Sequence, residues 1–422
     1  MSDVTQRCVW ILNQYAQPPD GMGGVRHFGI AQGLRERGWR ATIIAGSVEL
    51  NSRRPRIVRA EQFVLENFDG IPFLWIRVPD ASGSLCGRAW GMASFAFHAL
   101  RRGAARGLDP PDAVVGSSVH PLSGLAAAIL ARRYGVPFLF EVRDLWPETL
   151  IALGNLRRNG PVARAMRLLE GNLYRRATRI ITVLPYAATY IVSFGVEPSR
   201  VVWVPNGVST KRFNAAPREP DDGPLRLCYL GAHGRANDLE TLVDAMGQLQ
   251  ARGLGRAVHL RLYGEGPRKA GLVARATRLG LQNVSFEAAV ESRDVPRIAA
   301  EADAFVITVL NRPGLYRYGV SMNKLFDYMA AGRPVVIAMD APSNPIQEAC
   351  AGITVAPEDA GALADGIERL LSLSAEARRK LGENGRRYVE LNHDFGVLAA
   401  KFAAALDESV AQPSRVGGHR AG

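Results

Sequence analysis

Residues 8–45 read CVWILNQYAQPPDGMGGVRHFGIAQGLRERGWRATIIA, and the fold class follows from this stretch. The apolar run Cys8 to Asn13 has the composition of a buried strand. The loop Gln14 to Gly24 carries Pro18-Pro19 and the glycines Gly21, Gly23 and Gly24. A helix is expected over 25–37 and a second strand over 41–45. Strand, glycine loop, helix, strand is the opening of a parallel α/β domain. The loop reads GMGG rather than GxGxxG, so the dinucleotide fingerprint is missing and a nicotinamide dehydrogenase is disfavoured. Ligands gather at the carboxyl edge of such sheets. Gly23 and Gly24 are therefore candidate contacts, and Arg26 and His27 open the helix at the same edge.

The same cadence continues. FLWIRV (73–78) reads as a strand, followed by a helix over 89–100. There Trp90, Phe95 and Phe97 lie beside Arg88, Arg101, Arg102 and Arg106. That composition suits an interfacial membrane helix and equally a core-facing helix with basic ends. The buried strand AVVG (113–116) leads to His120, just past a strand's carboxyl end. PFLFEV (137–142) ends in Arg143 and Asp144 at the same kind of edge. Residues 156–179 hold seven arginines and a single acid, Glu170, along an amphipathic helix over 162–176. RIITVL (179–184) and VVWV (201–204) complete the first series.

A turn at Pro205-Asn206-Gly207-Val208 and the polar segment AAPREPDDGP (215–224) have linker composition. A second series then begins with LRLCYL (225–230) and the loop GAHGRAND (231–238). It runs through VHLRLYG (258–264), NVSFEA (283–288) and AFVIT (304–308). The reading is two Rossmann-like sheets facing across a cleft: a first domain over 1–205, a linker over 206–224 and a second domain over 225–392. A last helix over 393–407 crosses back to the first domain, and a disordered tail covers 408–422.

Within the second series, LYRYGVSMNKLFDYMAAGRPVVI (315–337) joins a polar loop to a short helix and then a strand. A loop entering a helix N-terminus presents unpaired N–H groups and partial positive charge, which suits a phosphate. Lys324 stands at that opening, one of only five lysines (211, 269, 324, 380, 401) among 52 basic residues. Asp327 follows one turn later on the same face. A cation for phosphates beside a carboxylate for sugar hydroxyls fits a nucleotide-sugar; a surface ion pair has the same spacing.

The net charge of +12 is uneven: residues 1–205 carry +10 and the remainder +2. An anionic partner is expected on the first half. No CxxC motif joins the four cysteines, Cys8, Cys86, Cys228 and Cys350, which fits a reducing compartment. There is no signal peptide, and no run approaches the ~18 apolar residues of a membrane span. No Asp-x-Asp metal motif stands in the site; Asp221-Asp222 falls in the linker.

Taken in order, seven motifs resemble the retaining glycosyltransferases of family 4, with their two-domain GT-B fold. They are WILNQYAQPPDGMGGVRHF, HPLSGLAA after His120, EVRDLWPETLIALG (141–154), VPNGV (204–208), YLGAHGRAND (229–238), YGEGP (263–267) and SMNKLFDYMAAGRPVV (321–336). The subgroup they most resemble comprises L-fucosamine transferases of O-antigen and capsule assembly. The resemblance implies a hexosyltransferase-type enzyme, with an acceptor-binding first domain and a nucleotide-sugar-binding second domain. His120, Lys324 and Arg235 would be catalytic. Gly23, Gly24, Gly231, His233, Gly234, Glu265, Gly266, Ser321, Asn323, Lys324 and Asp327 would meet the donor. Arg26, Arg143 and Asp144 would line the acceptor side.

Two features depart from the family. Gly319 stands where the first carboxylate of a Glu pair is expected. His233, Arg235 and Asn237 stand where an Arg and a spaced Lys are usual. The implied reaction moves a sugar, N-acetylated or deoxy, from a UDP-linked donor to a polyprenyl-diphosphate-linked or other glycan acceptor. It needs no cofactor and no tightly bound metal. The implied place is cytoplasmic and peripheral, on an anionic inner-membrane surface met through 88–106 or 156–179, with no nucleic acid. The competing readings are a non-hydrolysing UDP-sugar 2-epimerase and a non-enzymatic basic protein of membrane surfaces or nucleic acid.

Overall fold

The computed structural model describes residues 6–49, 54–58, 60–80, 85–214 and 223–411. The chain divides into two compact units, residues 1–205 with 395–422 and residues 206–394. Both are α/β, and each is built on a parallel sheet.

The first sheet has eight strands: β1 (Arg7–Leu12), β2 (Trp39–Gly46), β3 (Phe63–Phe68), β4 (Ile71–Ile76), β5 (Ala113–Ser117), β6 (Phe138–Val142), β7 (Arg179–Thr182) and β8 (Val201–Trp203). Their order is β3-β4-β2-β1-β5-β6-β7-β8. All neighbours are parallel except the β3–β4 hairpin. Strand β3 was not among the expected strands. Its signal was Asp69-Gly70, both at positive φ (51° and 84°), a pair that suits a two-residue hairpin turn. Central strands β1 and β5 are almost wholly buried, because helices cover both faces of a parallel sheet.

The helix Phe395–Ala411 belongs to this unit and packs on the helix Arg26–Arg35. Phe395, Leu398, Phe402 and Leu406 enter its core. Each such side chain contributes roughly 1.5–3 kcal/mol relative to exposure. Two glycines allow the approach: a Cβ on Gly29 would lie 2.2 Å from the Phe395 ring, and one on Gly33 would lie 2.5 Å from Ala399 Cβ. The helix outruns the expected boundary at 407. Glu408 pairs with Arg179 at 3.0 Å, and the Ser409 hydroxyl donates to the Ala405 carbonyl. The rest of the expected tail lies outside the described residues.

The second sheet has six strands: β9 (Leu225–Leu230), β10 (Val258–Tyr263), β11 (Val284–Glu287), β12 (Ala304–Thr308), β13 (Val335–Ala338) and β14 (Gly352–Val355), in the order β11-β10-β9-β12-β13-β14. Residues 206–213, expected as linker, are packed into this unit instead. The Val208 N–H donates to the His393 carbonyl, Thr210 donates to Asp394, and Val208 and Phe213 join the core. Residues 215–222 of the expected linker lie outside the described residues.

The helix Ala375–Asn392 was not expected, because Gly382 and Gly385 weaken its sequence signal. Packing requires one of them: a Cβ on Gly382 would fall 2.0 Å from the Gly332 carbonyl oxygen.

Candidate active site

In the second unit, the loops after β9 and β10 lie backbone to backbone. The His233 N–H donates to the Glu265 carbonyl (2.8 Å), and Arg268 N–H returns to the His233 carbonyl (3.1 Å). Glycine is required at this approach. A Cβ on Gly264 would sit 1.9 Å from the Gly231 oxygen, and one on Gly266 would sit 2.5 Å from the His233 oxygen. Gly231 in turn leaves space for Tyr229 and Lys324, whose Oη and Nζ would lie 2.9 and 3.3 Å from an added Cβ.

Lys324 is the second residue of the helix Asn323–Ala330. Its Nζ donates to Asn237 Oδ1 (2.6 Å) and Tyr229 Oη (2.8 Å), and lies 4.5 Å from the Tyr229 ring centroid. Both oxygen partners are neutral. Burial brings the amine down to about 7. Asp327, one turn on, is pushed up by burial to about 7, with Arg212 opposing the shift. Among the described residues the lysine has no carboxylate partner in an ion pair. An ammonium has three N–H donors, and two are committed.

The other residues of the second unit expected at the donor are placed as follows. Arg235 is exposed in the short turn Arg235–Asn237. His233 is fully buried, with neither ring nitrogen hydrogen-bonded among the described residues, and burial lowers it to about 4. Gly234 precedes Arg235 as the N-cap of that turn. Glu265 is exposed and pairs with Lys269 at 2.6 Å. Ser321 accepts from the Asn206 N–H at 2.8 Å through Oγ, and from the Asn206 amide through its carbonyl at 2.5 Å. Asn323 is half-buried at the first turn of the lysine's helix.

In the first unit, His120 caps the helix Pro121–Tyr134, its Nδ1 accepting from the Ser123 N–H at 3.2 Å. The ring proton therefore sits on Nε2, which is buried and has no hydrogen-bond partner among the described residues. Burial brings the imidazole down to about 3, so it is a neutral hydrogen-bond donor. Gly23 and Gly24 are exposed in the loop before the helix Arg26–Arg35. The Arg143 N–H donates to Ser118 Oγ (3.2 Å), and Asp144 is exposed beside it.

Arg26, expected on the acceptor side, is buried with its guanidinium engaged. It is 1% exposed; its Nε donates to Glu141 Oε1 (2.9 Å), and its terminal nitrogens donate to the carbonyls of Val204 (2.8 Å) and Pro205. His27 reaches the other Glu141 oxygen at 2.7 Å and Asn13 at 3.3 Å. Burial alone would raise the Glu141 carboxyl, but His27 and Arg26 hold it well below the usual range. The arginine is consumed in holding the sheet edge together.

Asn237 differs from the family pattern in the sequence, and Tyr229 carries no local signal of its role. Their hold on Lys324 spans 87 and 95 residues of chain, so no local spacing carries it.

Among the described residues no group of three or more His, Cys, Asp or Glu could hold a metal ion, and no helix is long and apolar enough to cross a membrane.

Two family models match the chain: a glycosyl transferase 4-like domain over 23–207 and a glycosyl transferases group 1 domain over 224–373. A probable glycosyltransferase of Pseudomonas aeruginosa, WbjE, is 22% identical over 70% of this chain and 74% of its own length. Sucrose-phosphate synthase from Thermosynechococcus elongatus superposes with a TM-score of 0.71 at 19% identity, covering 95% of this chain and 98% of that one. HepE of Anabaena, solved with UDP and glucose, gives 0.65 at 17%, covering 94% and 99%.

Proposed function

We propose that this chain, a glycosyltransferase of the GT-B fold, moves a sugar from a UDP-linked donor to a glycan or polyprenyl-diphosphate-linked acceptor, with retention of configuration. The observation that carries the reading is the Lys324 amine: among the described residues it is held by neutral oxygens and has no carboxylate in an ion pair, and it lies beside two glycine-paired loops at the carboxyl edge of a parallel sheet. Such a centre attracts the diphosphate and stabilises the charge that develops as the diphosphate leaves the anomeric carbon. HepE, with the same fold, was solved with UDP.

In this reading Asp327 holds ribose hydroxyls, and Arg235 swings onto the phosphates. His120 donates its free Nε2–H to a sugar hydroxyl and orients the ring. Its low basicity keeps it a donor rather than a base. Gly23 and Gly24 allow close backbone approach. Arg143 and Asp144 line the acceptor side. On the leaving-group face the acceptor hydroxyl attacks the anomeric carbon as the carbon–oxygen bond to diphosphate breaks, and its proton passes to a diphosphate oxygen.

The motif resemblance favours an N-acetylated or deoxy sugar and bacterial surface polysaccharide. A membrane-facing acceptor is favoured by the helix Leu85–Ala99, whose Trp90 and Phe97 are 66% and 63% exposed near Arg88, Arg101 and Arg102. Val162 and Leu168 are likewise exposed on the arginine-rich helix Pro161–Arg176. Each basic residue near an anionic surface adds about 1 kcal/mol of attraction.

The test is a panel of UDP-sugars scored for UDP release with a lipid-linked acceptor mixture. Acceptor-dependent UDP release, lost in Lys324→Ala, supports the reading. Wild-type turnover in that variant overturns it, and release without acceptor points to epimerisation or hydrolysis.

A further inference from the structure

Lys324 does not hold its own place. Its helix fixes the Cα, but four flexible bonds separate that from the ammonium. Two contacts from another part of the chain localise it. Asn237 Oδ1 accepts at 2.6 Å, while the other end of the same amide, Nδ2, donates to the Ala232 carbonyl at 2.8 Å. Ala232 also accepts from Tyr229 Oη at 3.0 Å, which leaves that oxygen to receive the lysine. The Asn237 backbone is fixed in turn: its N–H donates to the Gly234 carbonyl (3.1 Å), and its carbonyl accepts from Thr308 Oγ1 (2.6 Å).

We propose that Asn237 is a positioning residue for transfer, its amide bridging the β9 loop to Lys324 so that a neutral oxygen, not a carboxylate, holds the ammonium with one N–H left for the diphosphate. This rests on the reading of Lys324 as the diphosphate cation. An amide is suited to the role because it supplies an acceptor to the lysine and a donor to the loop at once. Aspartate has the same shape but would neutralise the cation and lose the donor. Alanine would release both.

The other charged or titratable groups around the amine leave the neutral holder in control. Tyr229 lies beneath it, and burial raises its hydroxyl beyond ordinary titration. His233, on the same loop, is lowered by burial with Lys269 and Lys324 adding to the shift. Glu265 and Lys269 pair with each other. Asp327, on the lysine's own helix, interacts with Arg212. Arg235 is exposed.

The experiment uses the full chain labelled with [13C]lysine. With five lysines, the Lys324 signal is assigned by its loss in Lys324→Met. Its titration is followed by NMR in the wild type and in Asn237→Asp, and UDP affinity is measured by calorimetry from pH 6 to pH 9. The expected result is a Lys324 titration displaced upward by at least one unit in Asn237→Asp, with UDP affinity reduced tenfold or more at pH 7. Asn237→Ala loses kcat more than donor KM. A purely structural role for Asn237 would leave kcat and donor KM of the folded Asn237→Ala protein unchanged.

An unchanged Lys324 titration in Asn237→Asp, or UDP affinity within twofold of wild type, overturns the proposal. If Lys324→Met itself binds UDP normally, the reading of the lysine fails first. If Lys324→Met loses UDP while Asn237→Asp does not, only the positioning role falls.

Discussion

Replacing Glu141 by Gln isolates the buried charge pair at the edge of the first sheet. Arg26 and Glu141 are 1% and 0% exposed, so water cannot compensate either one. Glu141 accepts from Arg26 Nε on one oxygen and faces His27 Nε2 with the other. A glutamine offers one acceptor and one donor, so it must turn N–H groups toward either the arginine or the histidine. His27 cannot simply change tautomer, because its Nδ1 faces the Asn13 amide nitrogen, whose oxygen already serves the Tyr15 N–H. An uncompensated buried charge costs about 3–5 kcal/mol. For a unit of this size that is a fall in midpoint of roughly 6–20 °C.

The assay has a built-in locator. All six tryptophans (10, 39, 75, 90, 146, 203) lie in the first unit, so thermal unfolding followed by tryptophan fluorescence reports that unit alone. The pH dependence carries a second check. The folded pKa of Glu141 is depressed below its ordinary value of 4.5. The pair's contribution is therefore present above that unfolded value and is lost as pH falls through the folded one. The gap between wild type and Glu141→Gln should hold steady from pH 8 to about pH 5 and close in stronger acid. A midpoint within about 1 °C of wild type at pH 7 would refute the burial argument, since it would mean that the arginine had found another partner at no cost.

Gly264→Ala drives a Cβ to 1.9 Å from the Gly231 carbonyl oxygen, so backbone must move; a loss of about 1–3 kcal/mol is expected. Circular-dichroism melting and UDP titration check it, and unaltered values would show that the two loops are not pinned together. UDP binding to the wild type should take up a proton at pH 7–9, because the buried amine sits near 7 and a diphosphate raises it. Calorimetry in buffers of different ionisation enthalpy reads that uptake, which should vanish in Lys324→Met. Without ligand, the lowered lysine makes the second unit less stable as pH falls from about 10 toward 7, because the unfolded chain binds the extra proton there. If the proposed membrane-facing acceptor is right, Trp90→Ala/Phe97→Ala should weaken co-sedimentation with anionic vesicles severalfold while leaving UDP affinity intact; equal sedimentation would count against a membrane face on this helix.

Local pattern determined most of the architecture. The apolar runs at Cys8–Asn13 and Leu225–Leu230, each ending in a glycine-bearing loop and a helix, announced two parallel sheets, because that periodicity records which faces a strand must bury. Lys324 stood out through its scarcity and its place at a helix start. What the tertiary structure decided depends on contacts far apart in sequence. Arg26, exposed by any count of charge, is sealed by carbonyls almost 180 residues away and becomes structural. The polar segment at 206–213 looked like a linker, yet His393 and Asp394 satisfy its backbone and bury it. Lys324 became an ammonium held by neutral oxygens only because β9 and its loop bring Tyr229 and Asn237 beneath it. Burial and partnership set whether a charge binds a ligand or braces a fold, and both arise only when distant segments meet.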